Sequence, residues 1–334
     1  MSLITLWSGR RIPRIGVGCW AIGGTFRMHG QAAGWGEVDD AVSTRALHLA
    51  FDLGARLFDT ADVYGIGHSE EVLGRAFADR RGEIVIATKF GFTHDPAARE
   101  LNGSNATVEY MEQALAGSLR RLGTDRIDLY QLHVGDVADG PMDDLAAALE
   151  RRAEAGDIDA WGWSTDDAFR VERMLAYPHF KSVQQQLSVF HEVPDMQRLA
   201  DDHCLVNLNR SPLAMGLLTG KFTATTQLPA NDVRSSSYEW LTNFRDGRPT
   251  AEALDKLDSI RDLLTVGGRT LAQGALSWIL ARSPMTVPIP GFKTEAQIRD
   301  NMGALDRGPL PETVMKEIDV LLHEPAGAGA ALAR

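Results

Sequence analysis

The sequence predicts an α/β fold of the (β/α)8 TIM-barrel type, built as a single domain with long active-site loops. Eight short apolar runs alternate with amphipathic segments, which is typical of parallel strands joined by helices. The length of 334 residues suits one barrel with insertions, and no linker separates two regions of different composition. We therefore predict one barrel over residues 1–322 and a flexible tail, rich in Ala and Gly, over 323–334.

The apolar runs have the length of strands, and amphipathic segments of helical length separate them. The predicted strands span 16–20, 56–60, 83–89, 127–133, 158–164, 182–186, 205–210 and 286–290. The predicted helices span 39–53, 69–77, 107–122, 143–153, 166–175, 194–201, 251–264 and 270–282, with another from about residue 294. We expect Ser69, Thr107 and Asp143 to begin helices, because small polar side chains accept hydrogen bonds from the first free amides.

One connection, from Ser211 to Thr250, is much longer than the others. Loops of this length are usually either functional lids or disordered segments. This one contains Lys221, Arg234 and several aromatic residues, a composition suited to covering a charged, flat ligand. Composition therefore favours a lid over disorder.

The charge of the chain restricts its partners. A formal net charge of -11 at pH 7 disfavours binding to nucleic acid or to an anionic membrane surface. The longest apolar runs are strand-sized and no signal peptide is evident, so we predict a cytoplasmic protein. Cys19 and Cys204 lie in apolar runs without metal-ligand spacing, which favours two buried, reduced thiols over a disulfide.

Three successive predicted strands end in residues capable of proton chemistry. Asp59 ends one apolar run, Tyr64 follows five residues later, Lys89 ends the next run and His133 ends the one after. Parallel barrels collect active-site residues at the C-terminal ends of their strands, so these four side chains should meet. Lys89 would pair with Asp59 and lower the pKa of Tyr64, while His133 would orient a carbonyl oxygen beside the phenol. A purely structural Asp–Lys pair is the alternative, but it would not require the tyrosine and the histidine.

A second pattern must be weighed against this barrel. Residues 16–21 read Gly-Val-Gly-Cys-Trp-Ala and match the loose G-x-G-x-x-A motif of dinucleotide-binding turns, which requires a strand, a turn and a helix. A Gly-rich stretch to Gly36 follows instead of a helix. A first barrel strand entering a pocket loop is therefore the favoured interpretation.

The polar strand ends lie in segments that resemble the aldo-keto reductase family over essentially the whole chain. The resemblance rests on FDTADVYGIGHSE, ATKFG, IDLYQLH, RSPLAMGLLTGKF and VPIPGFKTEAQIRDN, in the order and spacing of the family. It implies a (β/α)8 barrel that binds NADP(H) and transfers hydride directly to an aldehyde or ketone. It also implies that Tyr64 is the general acid and that Asp59, Lys89 and His133 complete the catalytic set.

The last predicted strand leads into a candidate phosphate site. Gly291 and Lys293 precede a predicted helix, and a helix N-terminus beside a cation is suited to bind phosphate. Together with the resemblance, this predicts that Lys293 contacts the 2′-phosphate of NADP(H), with Gln297 and Asn301 facing the adenine half. The alternative is an exposed lysine near a helix start.

The remaining cofactor contacts follow from the glycine-containing segment after residue 210 and from the resemblance. We expect residues 211–216 to pass beneath the pyrophosphate, with Lys221 and Arg234 adding positive charge. By resemblance, Ser164 and Gln184 hold the nicotinamide carboxamide. The predicted cofactor-binding residues are Trp20, Asp59, Ser164, Gln184, Arg210, Ser211, Leu213, Gly216, Lys221, Arg234, Gly291, Lys293, Gln297 and Asn301.

Two positions depart from the commoner family pattern. Arg210 stands where an aromatic residue usually stacks on the nicotinamide, and Thr165 stands where many relatives have Asn or Arg. A guanidinium plane can also stack, but it carries charge.

The substrate pocket is predicted to be aromatic. Trp20 and Trp35 should form its walls, together with Tyr64 and His133, because their Gly-rich flanks place them on the open face of the barrel. No metal site is predicted, since no ligand spacing is evident among His29, His68, His94 and His191.

These features predict an NADP(H)-dependent oxidoreductase that reduces a small-molecule aldehyde or ketone. The alternative is a redox-sensing regulatory subunit that binds NADP(H) with little turnover, because the resemblance extends to the potassium-channel β-subunits. Retention of all four catalytic residues favours the enzyme.

Overall fold

The computed structural model describes residues 2–135 and 137–323. Within these ranges, eight parallel strands form one sheet in which each strand pairs with the next along the chain. They are Val17–Gly18, Leu57–Asp59, Val85–Phe90, Leu129–Leu132, Trp161–Ser164, Phe180–Gln186, Val206–Arg210 and Thr286–Pro288. The first strand meets the last, because the Gly16 and Gly18 amides donate to the carbonyls of Pro288 and Pro290, both at 3.0 Å. The eight predicted strands are confirmed, and the curled sheet is consistent with a (β/α)8 barrel.

Helices connect these strands and cover the outside of the sheet. The α-helices are Asp40–Asp52, His68–Ala76, Val108–Leu122, Asp139–Ala155, Ala168–Glu172, Pro194–Asp202, Ala251–Leu264, Leu271–Arg282, Glu295–Arg307 and Glu312–His323. Short 3₁₀ segments span Ala21–Gly23, Arg81–Glu83, Arg173–Ala176, Ala214–Thr219 and Val233–Ser235. Every predicted helix is present, whereas Glu312–His323 was not predicted.

Only one of the three predicted caps is correct. The Thr107 hydroxyl accepts a hydrogen bond from the Tyr110 amide at 3.2 Å. Ser69 lies inside its helix, and its buried hydroxyl donates to the Cys19 carbonyl at 2.7 Å instead. Asp143 also lies inside a helix, which begins at Asp139.

An N-terminal hairpin, which the sequence analysis did not identify, closes the lower end of the barrel. Leu3–Thr5 and Arg11–Pro13 pair in antiparallel fashion. Their buried residues Ile4 and Ile12 pack against inward-facing barrel residues such as Leu57 and Val85. The hairpin therefore extends the hydrophobic core below the strands and leaves the opposite end open for chemistry.

At the upper end, the long segment of residues 211–250 is fastened to the loop that follows the first strand. The Val233 amide donates to the Gly34 carbonyl at 2.8 Å. The Ser236 and Tyr238 hydroxyls donate to the carbonyls of Ala32 and Met28, at 2.6 and 2.8 Å. The segment also contains the hairpin strands Phe244–Arg245 and Arg248–Pro249. It therefore has internal structure and fixed neighbours.

A small four-stranded sheet forms one side of this upper end. It consists of Arg27–Met28, Gln31–Ala32, Phe92–Asp95 and Glu100–Ser104. Its strands come from the connections after the first and third barrel strands, so it adds a wall outside the barrel itself.

Three further predictions concern the thiols, the tail and the membrane. Both cysteines are free, but only Cys19 is buried. The prediction for Cys204 is wrong because this residue occupies an exposed left-handed turn (φ 52°) after the helix Pro194–Asp202. The predicted tail lies outside the described residues, except that residue 323 ends the last helix. In the described part of the chain, no helix is long and apolar enough to cross a membrane.

Candidate active site

A cavity of about 840 Å³ opens at the C-terminal ends of the barrel strands. All the site residues predicted from the sequence line it, except Lys89, which is fully buried behind the wall. The lining residues that were predicted are Trp20, Trp35, Asp59, Tyr64, His133, Ser164, Gln184, Arg210, Ser211, Leu213, Gly216, Lys221, Arg234, Gly291, Lys293, Gln297 and Asn301. The topology therefore brings residues from widely separated parts of the chain to one site.

Lys89 connects the buried acid with the phenol. Its Nζ donates to Asp59 Oδ1 at 2.6 Å, to the Thr60 carbonyl at 2.9 Å and to Tyr64 Oη at 3.2 Å. Lys89 is 0% exposed and Asp59 is 2% exposed, so the pair is held away from water. All three donor positions of the ammonium are used, which fixes the ammonium against the phenol.

The second oxygen of Asp59 is held by two glutamines inside the barrel. Gln184 Nε2 donates to Asp59 Oδ2 at 2.8 Å, and Gln131 Nε2 donates to the same oxygen at 3.4 Å. The carboxylate is thus satisfied on both sides, as a buried anion must be. Gln184 was predicted from the sequence only as a cofactor contact, and Gln131 was not predicted as a site residue.

The pKa values in this cluster are set by burial and by the ion pair. Burial lowers the pKa of Lys89, but attraction to Asp59 and Tyr64 outweighs it, so the pKa lies above 10.5 and the amine stays charged. Burial raises the pKa of Tyr64 by more than Lys89 lowers it. The predicted lowering of the Tyr64 pKa is therefore wrong as a net effect, because desolvation of the phenolate exceeds the stabilisation by the ammonium.

His133 faces the phenol across the cavity. Its ring lies edge-on to Tyr64, with 5.9 Å between centroids and an interplanar angle of 83°. Burial, together with repulsion from Lys89 and Arg210, holds the pKa of His133 well below 6.5, so the imidazole is neutral at physiological pH. Its Nδ1 is buried and has no hydrogen-bond partner among the described residues. The ring thus lines the cavity with one polar atom unsatisfied by the described residues.

The cavity walls near Tyr64 are apolar and largely aromatic. Trp20 stacks on Tyr64 at 5.9 Å between ring centroids and meets Trp35 edge-on at 5.4 Å. Trp240, from the long segment, lies tilted against Trp20 at 6.3 Å and stacks on Tyr238. The prediction placed Trp20 and Trp35 in this wall but did not assign Trp240 to the site.

The opposite part of the cavity gathers positive charge. Burial lowers the pKa of Lys221, and repulsion from Arg234 and Lys293 lowers it further. Burial likewise lowers the pKa of Lys293, although Asp232 opposes this effect. In a chain of net charge -11, cations that repel one another in a cavity mark an anion-binding site.

Two of these cations are already engaged with the protein. Arg234 forms an ion pair with Asp232, from Nη2 to Oδ2 at 2.6 Å, and donates from Nη1 to the Met215 carbonyl at 3.1 Å. Lys293 Nζ donates to the carbonyls of Trp35 and Glu37, at 2.8 and 3.1 Å. Arg234 is therefore not an unpaired charge on a lid, and Lys293 also fastens the loop that carries Trp35.

Arg210 is paired through both terminal nitrogens of its guanidinium. Its Nη2 forms an ion pair with Asp166 Oδ2 at 2.5 Å, and its Nη1 donates to Gln186 Oε1 at 3.1 Å. Asp166 and Asp232 were not predicted from the sequence as partners of Arg210 and Arg234. Their only signal was a run of acids beyond a strand end and one isolated acid in a long loop, which is common on protein surfaces.

The backbone after Arg210 takes an unusual course. Ser211, Ala214 and Met215 have φ values of 55°, 47° and 57°, which are uncommon for residues with a side chain. Such strained segments cluster at ligand sites. Gly216 follows at φ 88°, where the absence of a side chain removes the strain.

The last helix of the site begins as predicted. Thr294 caps Glu295–Arg307 by accepting from the Gln297 amide. Gln297 Oε1 in turn accepts from the Lys293 amide at 2.7 Å, and Asn301 Nδ2 donates to the Gly291 carbonyl at 3.3 Å. These contacts fix the loop between the last strand and the helix.

Comparison with known proteins assigns the family. The profile of the Aldo/keto reductase family matches residues 14–323. The aldo-keto reductase yakc of Schizosaccharomyces pombe, whose name specifies NADP(+), is 33% identical over 92% of this chain and 87% of its own. The structure of the glycerol dehydrogenase AKR11B4 from Gluconobacter oxydans matches with a TM-score of 0.81 and 27% identity, covering 96% of this chain and 95% of that chain. A probable voltage-gated potassium channel subunit beta of Oryza sativa subsp. japonica is 28% identical over 95% of each chain. This chain belongs to the aldo/keto reductase family.

Proposed function

We propose that this protein is an NADP(H)-dependent reductase of aldehydes or ketones in which Tyr64 is the general acid. The observation that carries the proposal is the contact of Tyr64 Oη with Lys89 Nζ at 3.2 Å, while the same ammonium is paired with Asp59 at 2.6 Å. This arrangement lies in a cavity wall next to a neutral histidine with a free ring nitrogen. A proton donor, a stabilising cation and a carbonyl-binding group are thus gathered in one place.

The cavity suits a dinucleotide in size and charge. Its volume of about 840 Å³ falls in the range of cofactor sites, and the cations Lys221, Arg234 and Lys293 meet the charge of phosphates. We assign the phosphates to Lys221, Arg234 and the backbone of residues 211–216, and the adenine half to Lys293, Gln297 and Asn301. The nicotinamide end is assigned to Ser164, Gln184 and Arg210. When bound, the cofactor supplies the hydride.

Side chains of the protein carry out the proton transfer. Tyr64 is protonated at neutral pH, as a phenol ordinarily is, and it can give its Oη proton to a developing alkoxide, which is a much stronger base than the phenolate. Lys89 then stabilises the phenolate that remains, and Asp59 keeps Lys89 charged and in place. His133, being neutral, can donate from the ring nitrogen that carries its proton to the carbonyl oxygen, and so align the oxygen with the phenol.

The walls around Tyr64 support an uncharged, apolar substrate. Phe26, Val63 and Leu101 are buried there, and Phe92 and Met28 pack against them. The charged groups nearest to Tyr64 are already paired, Asp59 with Lys89 and Arg210 with Asp166. A substrate with apolar or aromatic groups gains most from burial against these walls, and the substrate is therefore assigned to that class.

The test replaces the acid alone. Tyr64→Phe removes one oxygen and keeps the ring that stacks on Trp20, so NADPH affinity, measured by quenching of tryptophan fluorescence, should change less than twofold. Reduction of benzaldehyde should fall by roughly 10²–10⁴-fold, which is the range for a lost general acid. Activity close to the unmodified level would show that Tyr64 is not the acid.

A redox-sensing regulatory role is the second candidate function. It is supported by the similarity to the probable potassium channel subunit of rice. The intact set of Asp59, Tyr64, Lys89 and His133 supports the enzyme instead. A panel of aromatic and short-chain aldehydes distinguishes them. Tight NADPH binding with no turnover of any aldehyde would favour the sensor. Cytoplasmic localisation stays a prediction from the sequence.

A further inference from the structure

Two glutamines lie behind the catalytic carboxylate, and one of them has no role in the mechanism above. Gln131 projects from Leu129–Leu132 and Gln184 from Phe180–Gln186; their exposed fractions are 0% and 1%. Gln184 lines the cavity, whereas Gln131 does not. Gln131 can therefore influence a ligand only through the groups that it contacts.

We propose that Gln131 is a positioning residue for the proton transfer, which holds Gln184 and the Asp59 carboxylate in the orientation that serves Lys89. The inference rests on the proposed function, since it assigns a role in the same reaction.

The hydrogen bonds define a closed arrangement of three side chains. Gln131 Nε2 donates to Asp59 Oδ2 at 3.4 Å, and Gln184 Nε2 donates to that oxygen at 2.8 Å. Gln184 Nε2 also donates to Gln131 Oε1 at 3.3 Å. The shortest bond is thus the one from Gln184, and Gln131 orients it by accepting the other proton of the same amide. With Lys89 on Oδ1 at 2.6 Å, the carboxylate cannot rotate without breaking bonds on both oxygens.

The same hydrogen bonds influence the pKa of Tyr64, because they change how much negative charge Asp59 places beside the phenol. Burial raises the pKa of Tyr64 most, Lys89 and Arg210 lower it, and the Asp59 carboxylate raises it. The His133 ring, which is neutral, also faces the phenol. Amide donors on Oδ2 offset part of the negative charge of Asp59. When these donors are weakened, Asp59 cancels more of the field of Lys89, so the pKa of Tyr64 should rise further. A glutamine that only fills space would leave this pKa unchanged.

The chain contains a matched control one residue beyond Gln184. Gln185 is also 0% exposed, and its amide has no hydrogen-bond partner among the residues described. Successive residues of a strand face opposite sides of the sheet, so Gln185 points away from Asp59. The substitution Gln185→Met therefore makes the same chemical change at equal depth without touching the carboxylate.

The experiment compares Gln131→Met with Gln185→Met in the pH dependence of kcat for aldehyde reduction. For Gln131→Met we expect kcat at neutral pH to fall roughly tenfold, the effect of losing about 1.4 kcal/mol of hydrogen bonding. The alkaline limb of the pH profile of kcat should move to higher pH in Gln131→Met. The reason is that reduction requires the protonated phenol, and the pKa of that phenol has risen. The KM and the Kd for NADPH should stay within about twofold of the unmodified values, and Gln185→Met should match the unmodified protein throughout. An unmoved alkaline limb in Gln131→Met, or the same displacement in Gln185→Met, would overturn the inference.

Two further measurements cover the cases in which Gln131→Met does not fold or the unmodified protein is inactive. If Gln131→Met does not fold, Gln131→Glu keeps the size of the side chain. It should approach full activity at acidic pH, where the new carboxyl is protonated and can donate to Asp59, and an equal loss at every pH would contradict the role. If the unmodified protein reduces no carbonyl compound, the proposed function fails by itself. The phenolate absorbance of Tyr64, obtained as the difference from Tyr64→Phe, then tests the inference: a higher midpoint in Gln131→Met supports it and coincident titrations refute it.

Discussion

Removing the buried ammonium should cost several kcal/mol of stability in a pH-dependent way. Lys89→Met would leave Asp59, which is 2% exposed, without its counter-ion, and breaking a buried pair typically costs about 3–5 kcal/mol. The carboxyl can avoid the penalty by taking up a proton. At pH 7 this costs about 4 kcal/mol, because an aspartate ordinarily titrates near 4 and each unit is worth about 1.4 kcal/mol. We therefore expect a loss of about 3–4 kcal/mol at pH 7.

The same reasoning predicts how the loss changes with acidity. At pH 5, protonating the carboxyl costs only about 1.5 kcal/mol, so the deficit should shrink to that size. Lys89 itself does not contribute to this trend. Its pKa in the folded state lies above 10.5, so its stabilising effect is complete at both pH values and declines only as the pH rises past 10.5.

Urea denaturation followed by circular dichroism at pH 7 and pH 5 measures both quantities. The double variant Asp59→Asn/Lys89→Met should recover most of the loss, since no charge is left unpaired. Lys316→Met serves as the control, because this lysine is 73% exposed in its pair with Glu312 and such pairs contribute at most about 1 kcal/mol. A deficit below 1 kcal/mol at pH 7, or one that is equal at the two pH values, would refute the reasoning.

Three other substitutions test separate parts of the site. Lys293→Ala should weaken NADPH roughly tenfold more than NADH in fluorescence titrations, whereas equal weakening would mean that the lysine acts only by holding the Trp35 loop. His133 has a pKa well below 6.5, so the folded protein must lose stability as the pH falls through that value. His133→Asn should therefore lose about 1 kcal/mol less than the unmodified protein between pH 6.5 and 5.5, and parallel pH profiles would contradict a neutral buried imidazole. Trp240→Ala should raise the KM for benzaldehyde several-fold with little change for propanal, while Phe169→Ala, which alters a side chain 78% exposed, should change neither.

The strand order and the grouping of the four polar strand-end residues were predictable from sequence because each rests on a local pattern. Apolar runs ending in Asp59, Lys89 and His133 are visible in the chain itself, and a parallel barrel places such ends together. The family resemblance then added the cofactor residues. The structure places Tyr64 3.2 Å from Lys89, in agreement with that prediction.

What escaped prediction depends on partners that are distant in sequence. The sign of the Tyr64 pKa shift is a balance between desolvation and one cation, and burial cannot be read from residue types. Asp166 and Asp232 belong to the site only because the folded chain brings Arg210 and Arg234 into contact with them. Likewise, the hydroxyl of Ser69 is used by Thr60 and by the Cys19 carbonyl, which removes it from the capping role that its sequence context indicates.

The fastening of the long segment to the first loop has a consequence for altering specificity. Hydrogen bonds at Met28, Gln31, Ala32 and Gly34 join the two stretches, and each stretch supplies a tryptophan to the same wall. Transplanting the long segment alone from a homologue would replace the Ser236 and Tyr238 hydroxyls, and transplanting the first loop alone would replace the Gln31 amide and the backbone course that presents the accepting carbonyls. Chimeras designed to accept new carbonyl compounds should therefore exchange residues 25–36 and 231–244 together, as a single matched unit.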